Sequence, residues 1–130
     1  MIEELWIING NSGITLVNQR VSEVIDGDLF GGFISAIQSM LQGMGEASCD
    51  HIEMGSVQFL IISNDKGSTF FVCRSPIIAN REHLQNYLLE IKDAFFKKYG
   101  KELVNWNGNL TLFDDVDEII NIKEDSRNIL

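Results

Sequence analysis

The chain has 130 residues, the length of one domain, and 45% of them are apolar, so it collapses around a core instead of staying disordered. Ten basic against nineteen acidic residues leave a net charge of −9, which sets nucleic acid and anionic lipid against it as partners. A domain of this size buries roughly two thirds of its unfolded surface, so neither a disulfide between Cys49 and Cys73 nor a structural metal is needed.

No apolar stretch approaches the roughly 20 residues that span a bilayer. The acidic opening Met1-Ile2-Glu3-Glu4 is the opposite of a basic leader. The sequence therefore predicts a cytoplasmic protein with no cofactor and no integral membrane segment.

In chain order, apolar residues 5–8, the turn cluster Asn9-Gly10-Asn11-Ser12-Gly13 and β-rich residues 14–17 predict a hairpin. The turn lacks the Gly-Lys-Ser/Thr ending of a phosphate loop and leads into a strand, not a helix. Leu29, Phe30, Phe33, Ile34, Ile37, Met40, Leu41 and Met44 follow helical spacing, which predicts a first helix ending near Gly43 or Gly45. Asp26 or Asp28 caps it; neither has the companions of a metal site. From residue 50 the pattern alternates, and 50–55, 57–63 and 68–74 predict three consecutive antiparallel strands, the last two central. Pro76 marks the exit from the sheet. A second helix starts at Ser75 or Asn80, buries Leu84, Tyr87, Leu88, Ile91, Ala94, Phe95 and Tyr99, and ends near Gly100. Trp106-Asn107-Gly108-Asn109 interrupts, and Phe113, Val116, Ile119 and Ile120 predict a short final helix. Residues 123–130 form a fraying polar tail after a single domain over 1–122.

Candidate chemistry is sparse. His51 and His83 sit in no metal-binding spacing, and His83 falls at an exposed helix start. Cys73 has the setting of a small buried hydrophobe, while Cys49 has His51 nearby but no electropositive surroundings to make a nucleophile. The acidic run at Asp114, Asp115, Asp117 and Glu118 suits the start of a helix and has no glycine-bent loop for a divalent cation. Lys97, Lys98 and Lys101 suit the negative end of the second helix. Asp50, His51 and Glu53 are the only compact set that could serve a small hydrolase or ligand-binding protein. No catalytic residue is assigned.

The order β-β-α-β-β-β-α-α resembles the longin domain. Ile2-Glu3-Glu4-Leu5-Trp6-Ile7-Ile8-Asn9-Gly10-Asn11-Ser12-Gly13 resembles its first strand and turn, and Leu29-Phe30-Gly31-Gly32-Phe33-Ile34-Ser35-Ala36-Ile37 its first helix, especially in stand-alone archaeal members. Residues 94–99, Trp106-Asn107-Gly108-Asn109 and Phe113 resemble the junction of its last helices. The resemblance also extends to the N-terminal domain of the signal-recognition-particle receptor alpha subunit and, more distantly, to Roadblock and profilin. It implies an α+β fold with a five-stranded antiparallel sheet and helices on both faces. It also implies a non-enzymatic scaffold or regulator for a small GTPase or a vesicle-trafficking complex, with a Roadblock-type homodimer as the alternative. Residues 123–130 have neither a SNARE coiled coil nor an anchor pattern, so a SNARE role is not expected.

The strand over 50–55 is expected at a sheet edge, where backbone groups lack partners. The preceding helix carries more apolar surface than one sheet face buries, with adaptable methionines among it. Phe30, Met40, Met44, His51 and Glu53 are therefore the expected protein interface. From the charge, the protein is expected to leave duplex DNA and acidic vesicles unbound at physiological salt, as measured by anisotropy and vesicle co-sedimentation. Salt-sensitive binding would instead make Lys97, Lys98 and Lys101 a functional patch.

Overall fold

A computed structural model describes residues 2–21, 49–64 and 68–125, with the backbone alone for 49 and 50. The expected first helix, and with it Phe30, Met40 and Met44, lies outside the described residues. The expected strands are present: β1 (Glu4–Asn9), β2 (Thr15–Arg20), β3 (Cys49–Met54), β4 (Val57–Ser63) and β5 (Thr69–Pro76). They form one antiparallel sheet in the order β2-β1-β5-β4-β3, which leaves β2 and β3 at its edges. The fold is α+β, and its five-stranded antiparallel sheet is the one the longin resemblance implies.

The β1–β2 turn works as its residues dictate. Asn9 Oδ1 accepts from the Asn11 and Ser12 amides at 2.9 and 3.0 Å, and Gly13 adopts φ 78°, where a side chain is disfavoured. The register then shifts between Ile7, opposite Val17, and Ile8, opposite Thr15. This bulge breaks the period of two, so the consecutive residues Leu16 and Val17 are both buried in the same core.

Both sheet faces are apolar and buried. Leu5, Ile7, Leu60, Ile62, Phe71 and Cys73 belong to one core, and Trp6, Ile8, Phe59, Ile61, Phe70 and Val72 to the other. On the first face lies α1 (Arg81–Val104). Asn80, not Ser75, caps it, accepting from the His83 amide at 3.0 Å. The buried stripe is Leu84, Tyr87, Leu88, Ile91, Phe95 and Tyr99, with Ala94 only partly buried. Gly100 does not end the helix, which continues to Val104 with Leu103 packed against the core. Phe95 is fully buried and its ring meets Phe71, Phe96, Tyr99 and Phe113 at 5.2–5.7 Å.

The expected final helix is instead two 3-10 turns, Leu110–Phe113 and Val116–Glu118. Asn109 caps the first, accepting from the Thr111 amide at 3.0 Å. The acidic run does not cap a helix as expected; its carboxylates reach outward. Asp115 accepts from the Tyr99 hydroxyl at 2.6 Å and pairs with Lys98 at 3.0 Å, and Lys98 also reaches Glu118 at 3.3 Å. Asp117 accepts from Gln19 Nε2 at 2.9 Å, while Gln19 Oε1 accepts from the Ile122 amide at 3.1 Å. Tyr87 donates to Asp125 at 2.7 Å, so the start of the expected fraying tail is tied to α1. Between these ties Phe113, Val116, Ile120 and Ile122 enter the core.

The Tyr99 hydrogen bond, then that of Lys98, holds the Asp115 carboxyl below its ordinary 3.8. Burial, then the bond to Asp115, raises the Tyr99 phenol, and the bonds to Asp115 and Glu118 raise Lys98. A carboxyl depressed by folding adds stability above its unfolded value, and that stability is lost as pH falls through the folded value. Asp115→Asn is therefore expected to lower Tm at neutral pH, with the gap to the parent closing as pH drops below 3.8. Thermal scans by circular dichroism across pH check this; a gap that stays constant through the acid range would remove Asp115 from the account.

Candidate protein-interaction surface

β3 is an edge strand, as expected from a meander that continues inward from it. Its inner side pairs with β4 from Cys49 opposite Ile62 to Met54 opposite Val57, and its outer side pairs with no strand among the described residues. His51 and Glu53 share the face turned toward α1, His51 half-buried and Glu53 exposed, whereas Ile52 packs in the opposite core. Asp50 stands at the alternate register position, opposite Ile61. That register puts Asp50 out of phase with His51 and Glu53, which occupy alternate positions of the same phase. Among the described residues no group of three or more His, Cys, Asp or Glu side chains is placed to hold a metal.

The β3–β4 turn lies beside the loop that leads from β5 to α1. The Ile77 amide donates to the Ser56 carbonyl at 2.9 Å. Three large apolar side chains are exposed at this corner: Ile78 at 92%, Met54 at 44% and Ile77 at 38%. Exposure on that scale at adjoining positions, next to the terminal strand of the sheet, suits a docking surface.

One buried amide organises the corner. Gln58 is 3% exposed and projects to the α1 face with Leu60 and Ile62. Its Nε2 donates to the carbonyls of Pro76 at 2.9 Å and Ala79 at 3.0 Å. Both partners are acceptors, which fixes the amide orientation and leaves Oε1 to accept from His51 Nε2 at 2.8 Å. The imidazole nitrogen facing Gln58 therefore carries a proton. Gln58 ties the edge strand and the Ile77–Ile78 loop to the sheet, and it was missed because a lone glutamine among apolar residues reads as solvated. The available signal was its place in the alternation, level with Leu60 and Ile62.

The same end of the sheet holds a buried ionic cluster that the sequence reading also missed. Glu4 and Arg74, directly paired across β1 and β5, are 1% and 4% exposed. Glu4 accepts from Asn18 Nδ2 and Arg20 Nε, each at 3.0 Å, and from Arg74 Nη2 at 3.4 Å. Arg74 Nη1 also pairs with Glu3. Opposite charges meet there directly across the β1–β5 ladder, an arrangement that favours one strand register. Its signal was likewise positional: Glu4 alternates with Trp6 and Ile8, and Arg74 with Phe70 and Val72.

Cys73 is fully buried and His83 exposed, as expected. No helix among the described residues is long and apolar enough to cross a membrane. No protein-family model matches the chain, and no curated protein does. Among solved structures it is similar to the crystal structure of MglC from Myxococcus xanthus, at 17% identity and a TM-score of 0.41, over 69% of this chain and 79% of that one.

Replacing Gln58 with methionine removes the side-chain donor to the Ala79 carbonyl and the acceptor facing His51, while the Pro76 carbonyl keeps the Ala79 amide and the Ser75 hydroxyl. Gln58→Met is expected to cost about 1–3 kcal/mol by urea unfolding and to speed amide exchange at Ile77 and Ala79. Unchanged exchange there would show that the loop is held by other means.

Proposed function

We propose that this protein is a non-enzymatic interaction module that docks a protein partner at the β3 edge and the adjoining corner of Met54, Ile77 and Ile78. The observation that carries the reading is the terminal place of β3 in the sheet, with exposed apolar side chains at its end. An edge supplies backbone donors and acceptors that a second strand satisfies, and the apolar corner adds buried area and direction. His51 and Glu53 flank that edge, and the reading includes Phe30, Met40 and Met44 as further interface residues. Glu53 and the overall charge of −9 favour a partner whose docking strand is basic.

The longin resemblance supports a class of partner, namely a small GTPase or a subunit of a vesicle-trafficking complex, with this chain as a cytoplasmic scaffold or regulator. No bond is made or broken; recognition is shape, hydrogen bonding and charge. The alternative is a Roadblock-type dimer, in which β3 of one copy pairs with β3 of another.

Retention of a partner on the immobilised chain, with guanosine di- or triphosphate added to the lysate, tests the reading. Ile78→Asp and Met54→Asp are expected to release the partner while leaving the far-UV spectrum intact. Val104→Asp, at the other end of a 24-residue helix and so about 36 Å away along its axis, is expected to retain it. Sedimentation of the pure chain distinguishes the alternative: self-association abolished by Ile78→Asp supports the dimer. Equal partner retention by all three variants would move the interface elsewhere.

A further inference from the structure

We propose that Asn107 is a site of spontaneous deamidation and that the fold spares the sequence-equivalent Asn9. The chain contains two Asn-Gly pairs, Asn9-Gly10 and Asn107-Gly108. A glycine after asparagine has no Cβ to obstruct its amide nitrogen, so that nitrogen can reach the asparagine side chain. Both asparagines also present an activated side-chain carbonyl, that of Asn9 carrying a second bond, from the Ser12 amide at 3.0 Å. Asn107 Oδ1 accepts from the Asn109 amide at 2.9 Å, and Asn9 Oδ1 accepts from the Asn11 amide at 2.9 Å. Each bond polarises the side-chain carbonyl and folds it forward over the next peptide.

The difference lies in the nucleophile. Gly10 is buried, and its amide donates to the Ser68 carbonyl at 2.7 Å, pinning the β1–β2 turn to the start of β5. An amide held in that bond keeps its proton and points away from its neighbour's side chain. Gly108 is exposed, has φ +89° and has nothing within 4 Å of where a side chain would stand. Asn107 is exposed too, so water and base reach both partners.

In the reaction the Gly108 nitrogen gives its proton to solvent base and attacks Asn107 Cγ. The N–Cγ bond forms, the Cγ–Nδ2 bond breaks, and Nδ2 takes a proton from solvent and leaves as ammonia. Water then opens the cyclic imide. Cleavage of the new N–Cγ bond gives aspartate, and cleavage of the original peptide C–N bond gives isoaspartate. Either product takes the net charge from −9 to one unit more negative. Isoaspartate also lengthens the backbone by one methylene between Trp106, whose Nε1 donates to the Asn109 carbonyl at 3.0 Å, and the 3-10 turn that Asn109 caps.

The full chain is incubated in mildly alkaline buffer, folded or unfolded in urea, then digested and mapped by mass spectrometry with chromatographic separation of isoaspartate. In urea both sites are expected to convert at similar rates. In the folded chain Asn107 is expected to convert about tenfold faster than Asn9, the factor that one hydrogen bond of ordinary net strength supplies. Asn107→Gln should abolish the early acidic species seen by isoelectric focusing. Equal rates in the folded chain, faster conversion at Asn9, or a folded Asn107 that stays intact while the unfolded chain reacts would each overturn the proposal.

Discussion

The sheet of this protein is assembled from a hairpin and a three-strand meander that meet along one ladder, between β1 and β5. The first hairpin, β1 and β2, is local in sequence, and so is the meander from β3 to β5; only the pairing of Glu4 with Arg74 through Asn9 with Thr69 unites them. A two-stranded hairpin is marginal in water by itself, whereas a five-stranded sheet with covered faces is not. The ladder is secured at both ends. Glu3 and Glu4 hold Arg74 at one, and the Gly10 amide holds Ser68 at the other. Closing so long a loop costs entropy that grows only slowly with length, but that cost comes before the reward. Hairpins first and ladder last is the order this topology favours.

Once the sheet exists, α1 covers one face, but its own outer flank still needs cover. The segment from Trp106 to Asp125 supplies it. Four aliphatic and aromatic plugs enter the core, while the chain's two tyrosines and Gln19 hold the segment from either side. The polar ties give a short irregular stretch a defined path that its apolar residues alone would leave slack. Lys98 adds an exposed pair of ionic contacts, which solvent screens and which contribute little by themselves.

Much of this was legible in the sequence because period two and period 3.6 are strong signals. The β1–β2 hairpin, the three-strand meander and the stripe of α1 all follow from them, and the edge position of β3 follows from the order of the elements. What escaped has identifiable causes. Two adjacent apolar residues, Leu16 and Val17, gave no hint that a bulge aims both inward. The spacing of Phe113, Val116 and Ile120 mimics a helix. Yet Asn109 and the aspartates around it prefer side-chain bonds to the backbone or to partners elsewhere in the chain, and these break the helical ladder into 3-10 turns. Gln58, Glu4 and Arg74 occupy core positions in the alternation, but their polarity argued for water. Of the five expected interface residues, His51 and Glu53 flank the β3 edge, and His51 proves to be bonded to Gln58 as well as near the surface.

The central strand also bears on how the chain survives before it is folded. Thr69-Phe70-Phe71-Val72-Cys73 is β-branched or aromatic at four of five positions, uncharged and free of proline, the composition of segments that stack into cross-β aggregates. In the native sheet it is the strand farthest from either edge, with β1 on one side and β4 on the other. Until β1 arrives, one of its sides is open. Arg74 and Pro76 follow the segment directly, and a charge and a proline at such a border oppose in-register stacking. The same arginine that locks the finished ladder thus guards the unfinished one, so replacing it with an apolar residue exposes the nascent chain to self-assembly whatever it does to the folded state.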